Sequence, residues 1–130
     1  MEINDSIKVP YVVQEEDTAK SISIDPSDDF PAVYATAKMV AIMELAAARL
    51  MKPLLQKGEL SVGVDVNIKH MAPTPVGSNI TSIATYTDMK GKLYSFDVEV
   101  HDEAGLAGKG THTRAIVETA RLLAGAAKRK

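Results

Sequence analysis

Residues Tyr34–Leu50 read YATAKMVAIMELAAARL, and this stretch sets the fold. It is dense in Ala, Leu, Met, Lys, Arg and Glu, the strong helix formers. It predicts a helix from about Lys38 to Met51, stopped by Pro53 and followed by Gly58. Taking about 100° per residue with Met39 at zero, Met39, Ile42, Met43, Ala46 and Leu50 fall within about 60° of zero, forming a core stripe. Lys38, Arg49 and Lys52 gather on the opposite side as a wet face. Glu44 falls near ~140°, away from those cations. Its neighbours three and four residues along are Val40, Ala41, Ala47 and Ala48, and none can pair with it.

Two readings of Glu44 follow. In one, apolar surface wraps most of the helix, so more than one face is covered. A sheet covers one face, and a second subunit is the simplest cover for the other. A carboxylate there loses hydration, at a cost of several kcal/mol unless paired or protonated, which marks a functional site. In the other, Glu44 is a surface residue among alanines that raises helix propensity.

Upstream, residues 7–14 (IKVPYVVQ) read as a strand, with Pro10 indicating an edge or a bulge. Residues 18–25 (TAKSISID) read as a second short strand, and DPSDDFP as a loop. Downstream the period changes to two. Val62, Val64, Val66 and Ile68 alternate with Gly63, Asp65, Asn67 and Lys69. APTPVG breaks that strand. SNITSIATYTD, with one slip in its alternation, LYSFDVEVHD and LAGKGTHTRAIVETA are three more strands, joined by turns at Gly91 and Gly105. RLLAGAAKRK reads as a short terminal helix. Strands joined by short connections are expected as antiparallel neighbours. One long helix on one antiparallel sheet is a two-layer α+β domain, spanning residues 1–130 as a single unit.

The totals agree. A chain of 130 residues fits one domain with one core. A net charge of −2 gives no footprint for nucleic acid. The apolar run is broken by Glu44 and Arg49, so no membrane span is expected. No cysteine is present, which removes disulfides, thiolate metal sites and cysteine nucleophiles and fits a cytoplasmic location. MEINDSIKVP has no apolar core of the kind a secretory signal needs. No Walker loop, GxGxxG, HExxH or GxSxG is found. Three scattered histidines lack metal-ligand spacing, so neither a metal nor a cofactor is expected.

Strict alternation places His70 on the face of Val62 to Ile68, at a strand end just before Pro73. An imidazole there, facing a helix that carries an unpaired Glu, is either a base-and-acid partner or a core histidine satisfied by backbone. His101 continues the polar row of Asp97 and Glu99. Alternation leaves the face of His112 in GKGTHTR undecided.

A strand, a long buried helix and a meander of strands resemble the hotdog fold. HMAPTPVGSNIT resembles the break between strands in hotdog thioesterases. FPAVYATAKMVAIMELAAARLMKPLL, SVGVDVNIKHMAPTPVG and GKGTHTRAIV together resemble the fluoroacetyl-CoA thioesterase-like family, over about Phe30 to Val117. The resemblance implies hydrolysis of a short-chain acyl-CoA, with Thr36, Glu44 and His70 as catalytic residues and Gly63, Arg114 and Phe30 around the substrate. Thr36 also reads as a helix N-cap. Lys38 stands where an apolar residue is expected, and the acidic loop DPSDD lacks an aromatic, so fluorinated selectivity is not carried over. The alternative is a hotdog module that binds acyl-CoA without turnover. A hotdog hydratase would need an Asp and His pair in a different motif.

Thr36 and Glu44 are eight residues apart, roughly 12 Å along a straight helix, so they cannot meet on it. Either Thr36 folds back in a loop or it acts across subunits. The second option, the wrapped helix and the shared sites of hotdog enzymes all imply a homodimer, or a dimer of dimers. Glu44 is then expected to activate water or to attack directly, with His70 orienting it. Lys90, Lys92 and Lys109 are the basic residues available to coenzyme A phosphates.

Overall fold

The computed structural model describes residues 1–130. The chain runs β1 (Ser6–Val12), α1 (Thr36–Met51), β2 (Glu59–His70), β3 (Asn79–Lys90), β4 (Leu93–Asp102), β5 (Gly105–Glu118) and α2 (Thr119–Ala127). The five strands form one antiparallel sheet in the order β1-β3-β4-β5-β2. α1 lies on its inner face. Met39, Met43 and Met51 of the helix form one buried cluster with Phe96, Val98 and Val100 of β4. Each such side chain contributes about 1.5–3 kcal/mol on burial. No helix is long and apolar enough to cross a membrane.

α1 begins two residues earlier than the sequence predicts. Ala35 is its N-cap and provides no side-chain cap. The buried stripe also leans toward Ala47 and Met51, and Leu50 is only partly buried.

The strand expected at residues 18–25 is absent. Two 3-10 turns, Glu15–Asp17 and Ala19–Ile22, stand there instead. Thr18 explains this: its hydroxyl bonds the Glu15 carbonyl at 2.9 Å and accepts from the Ser21 amide at 3.3 Å. Local bonds of this kind compete with a ladder. Pro10 does sit on an edge strand, β1, where its missing N–H costs no ladder bond.

β2 is not a neighbour of β3, although a short connection joins them. It pairs with β5 at the opposite edge, while β1 occupies the free side of β3. Residues 71–78 therefore run across the start of α1. Tyr34 N donates to Thr74 O at 2.8 Å, and Thr74 Oγ1 donates to Asp102 Oδ2 at 2.7 Å.

The row Val62 to Ile68 is not continuous either. Gly63 pairs with Arg114 and Asp65 with Thr113, which leaves Val64 as a bulge. One extra residue reverses the faces. Ser61 and Gly63 look at α1 before the bulge, and Val66, Ile68 and His70 look at it after. Val62 is turned to the outer face. The final strand ends at Glu118, so α2 starts two residues earlier than expected.

Candidate active site

Two groups of polar side chains lie between α1 and β2, one at each end of their contact. At the start of α1, Thr36 Oγ1 lies 2.8 Å from His70 Nδ1. His70 Nε2 lies 3.0 Å from the carbonyl oxygen of Ala72. A carbonyl only accepts, so Nε2 carries the hydrogen and a neutral ring presents a lone pair at Nδ1. Thr36 then donates to that lone pair. Its hydroxyl is thus engaged by the imidazole and does not cap its own helix. The amides of Thr36 and Ala37 find no acceptor in the chain, since the N-cap is an alanine. They and the positive end of the helix dipole face the same space.

Two turns further along α1, Glu44 Oε1 accepts from Arg114 Nη1 at 3.1 Å. Glu44 is half-exposed, with 39% of its side chain accessible, whereas Arg114 is buried. The guanidinium is held from three sides. Its Nε donates to Ser61 Oγ at 3.0 Å, its Nη2 to Ser61 O at 3.0 Å, and its Nη1 also to His112 Nε2 at 3.2 Å. His112 is 1% exposed, and its Nδ1 donates to the Asp65 carbonyl at 2.8 Å. Burial holds the His112 imidazole below its ordinary pKa; the bond to Asp65 opposes this and the Arg114 charge adds to it. Burial also lowers Arg114, with Glu44 working against that shift. A guanidinium stays charged in such surroundings, so Arg114 is a fixed cation facing the carboxylate.

Gly63 completes this group by having no side chain. A Cβ at residue 63 would overlap Glu44 Oε1 and would come within 3.2 Å of His112 Cε1. The bulge at Val64 and the glycine before it together let the carboxylate reach Arg114.

The sequence-predicted residues are thus split. Thr36 meets His70, and Glu44 meets Arg114 beside Gly63. Glu44 and His70, expected as a pair, do not bond within one chain. Thr36 is the first residue of α1, so it is not in a loop folded back toward Glu44. Phe30 is 47% exposed in the segment before α1 and belongs to neither hydrogen-bonded group. Lys90, Lys92 and Lys109 are exposed and form no ion pair. Lys109 lines a cavity of about 600 Å³. That cavity also takes in Lys69, Asp97 and Glu99 and lies on the outer face of the sheet, away from both groups. His101 sits 3.5 Å from Glu99, both part-exposed, in the polar row predicted for it. Sequence reasoning missed His112, Ser61 and the Ala72 carbonyl. The signal for His112 was its place two residues before Arg114, which puts both on one face of β5.

Comparison with known proteins identifies the family and the fold. Residues 13–120 match the family of fluoroacetyl-CoA-specific thioesterases, FlK. The fluoroacetyl-CoA thioesterase of Streptantibioticus cattleyicolor is 34% identical over 119 residues, covering 90% of this chain and 86% of that protein. The solved structure of fluoroacetyl-CoA thioesterase FlK superposes with a TM-score of 0.95 at 32% identity, over 100% of this chain and 98% of that one. A hot-dog-like protein from Thermanaerovibrio acidaminovorans shares the fold, with a TM-score of 0.83 at 22% identity over 98% of this chain and 91% of that one. The chain is a hotdog-fold thioester hydrolase, and it belongs to the fluoroacetyl-CoA-specific thioesterase family.

Proposed function

We propose that this protein hydrolyses short-chain acyl-CoA thioesters at a site made by two subunits, with Thr36 and His70 from one and Glu44 from the other. The observation that carries this reading is the 2.8 Å contact between Thr36 Oγ1 and His70 Nδ1, in the tautomer that accepts a proton from the hydroxyl. A hydroxyl beside an imidazole oriented by a third group is placed to relay a proton to the ring, the task of a general base. The acyl-CoA class is supported by the family relative that acts on fluoroacetyl-CoA.

In the reaction, a thioester carbonyl oxygen sits at the amides of Thr36 and Ala37, which meet its developing negative charge. A water attacks the carbonyl carbon. Its proton passes to Thr36 Oγ1 while the hydroxyl proton passes to His70. A bond forms from water oxygen to carbon, and the carbon–sulfur bond breaks. His70 returns the proton to the departing thiolate, which leaves as coenzyme A thiol beside the free acid. Glu44 of the partner subunit orients the water and offsets the imidazolium charge. Arg114 and Gly63 hold that carboxylate in place, and the segment that carries Phe30, just before α1, helps shape the acyl pocket.

Two features support a homodimer. Thr36 and Glu44 leave one helix too far apart to act on a single carbonyl. β2 is also an edge strand of 12 residues, paired with β5 on one side only, and it carries the exposed Leu60, Val64 and Val66. A long apolar edge of this kind needs covering. A second copy that pairs along β2 also brings a second α1 alongside the first.

The test is thiol release from acyl-CoA substrates of increasing chain length, with the parent, Glu44→Gln and His70→Ala side by side. Parent turnover with both variants impaired supports the reading. Equal rates in all three overturn the site, and a parent that turns over no member of the series overturns the function.

A further inference from the structure

We propose that His112 is a positioning residue of this site: as a neutral imidazole it accepts from Arg114 Nη1 and so aims that guanidinium at Glu44. The inference rests on the reading above, in which Glu44 serves the chemistry. It starts from an oddity of composition. A histidine that is 1% exposed occupies the inner face of β5, between α1 and the aromatic ring of Phe96 at 6.4 Å between ring centroids. An apolar residue would fill that volume without the desolvation that an imidazole suffers.

The hydrogen bonds show what the imidazole adds. Its Nδ1 hydrogen is committed to the Asp65 carbonyl at 2.8 Å, in the residue that follows the bulge. That bond turns the ring and forces the lone pair onto Nε2. The lone pair faces Arg114 Nη1 at 3.2 Å, and the same nitrogen donates to Glu44 Oε1 at 3.1 Å. Nη1 has two hydrogens, and the two acceptors take one each. Ser61 holds Nε and Nη2, which leaves the planar guanidinium free to tilt about the line through them, and His112 removes that tilt by holding Nη1 in the direction of the carboxylate. His112 Nε2 is itself 4.0 Å from Glu44 Oε1, too long for a good hydrogen bond. It therefore acts on the carboxylate through Arg114.

A purely structural role and a positioning role ask different things of residue 112. A structural role needs the donor toward Asp65, which holds the bulge. A positioning role needs the acceptor toward Arg114. Asparagine places a polar group where Nδ1 stands, and glutamine reaches to where Nε2 stands. The experiment compares His112→Gln and His112→Asn, each also in a Glu44→Gln background. It measures kcat and KM by thiol release on acetyl-, butyryl- and hexanoyl-CoA, and the melting temperature of every variant.

The expected result is that Gln keeps kcat within about threefold of the parent and Asn loses about tenfold or more, with KM little changed. In the Glu44→Gln background, Asn should cost less than about twofold further, because the residue it acts through is already gone. The proposal is overturned if Asn outperforms Gln, if both match the parent, or if the Asn and Glu44→Gln losses multiply in full. It is equally overturned if kcat simply follows melting temperature across the set. A Glu44→Gln protein with parental kcat instead overturns the function reading on which this one rests. A variant that does not fold leaves the comparison to the other: an active Gln protein supports positioning, and an active Asn protein denies it.

Discussion

Thr36 and Glu44 leave the same helix eight residues apart, and of the two only Thr36 is hydrogen-bonded to an imidazole; Glu44 stays 4.0 Å from the nearest ring nitrogen. His70 is turned toward the threonine by the Ala72 carbonyl, while Glu44 is turned the other way by Arg114. If proton transfer runs through Thr36 to His70, the two act as a unit. Thr36→Val, which keeps shape and removes the hydroxyl, should lower kcat by about 10- to 100-fold. His70→Ala should lower it at least as far. The double variant should be little worse than His70→Ala alone, since groups that act together are not additive. Steady-state kinetics on one acyl-CoA decides this. Fully multiplied losses would separate the two residues into independent roles.

Mixing subunits tests where the site lies. Thr36→Ala and Glu44→Gln homodimers should each be nearly inactive. Unfolded together and refolded as a mixture, half of the dimers are mixed. If each site takes Thr36 from one subunit and Glu44 from the other, every mixed dimer has one intact site. The mixture should recover about a quarter of parental activity, as the closed two-fold symmetry of a dimer requires. A site built within one chain predicts no recovery, and that result would remove the shared-site proposal.

These groups were unequally legible in the sequence. Glu44 stood out because no residue on its helix could pair with it, and the structure supplies its partner from the sheet. The face of His70 was legible from Ile68, two residues before it, on the same side of the bulge. The face of Gly63 was not, because a bulge has no fixed residue signature and one extra residue inverts everything before it. The pairing of β2 with β5 was hidden for a different reason. A connection as short as residues 71–78 normally joins neighbours, and here it is long enough to cross the start of α1. That crossing brings the Ala72 carbonyl to His70, so the same feature hid both the topology and the tautomer. In β5, Gly108 and Gly110 share a face with His112 and Arg114. A Cβ at Gly108 would strike the Met39 side chain, so the glycine makes room on the strand for a core residue of α1.

Gly63→Ala tests the fit between β2 and the carboxylate. The added methyl would overlap Glu44 Oε1 and crowd His112. The carboxylate is the end of a flexible side chain, so it should move aside and abandon Arg114. The expected result is a loss of kcat of about tenfold or more with about 1–2 kcal/mol or less of lost stability. Kinetics and chemical denaturation of the same preparation check both parts. Parental kcat would show that the contact between Glu44 and Arg114 is dispensable.

Thr74 ties the crossing segment down, and pH should reveal its bond. Its hydroxyl, 0% exposed, donates to Asp102 Oδ2 at 2.7 Å. That bond is the largest cause holding the Asp102 carboxyl below its ordinary value; the Ala104 and Gly105 amides add to it and desolvation opposes it. A carboxyl with a depressed folded pKa contributes stability above its unfolded value, near 3.8. The contribution is lost as pH falls through the lower folded value. Thr74→Val removes the donor and leaves no unsatisfied hydroxyl. It should cost about 1–2 kcal/mol at pH 7, as expected for a hydrogen bond to a charged group that keeps other partners. The gap between parent and variant should narrow once the pH falls below that of Asp102 titration. Loosening the segment should also free the Ala72 carbonyl from His70 and lower kcat without raising KM. Urea unfolding at one fixed protein concentration, at pH 7 and again near pH 2.5, measures the gap. An undiminished gap in acid would mean that Thr74 acts by packing, with no share from the carboxylate.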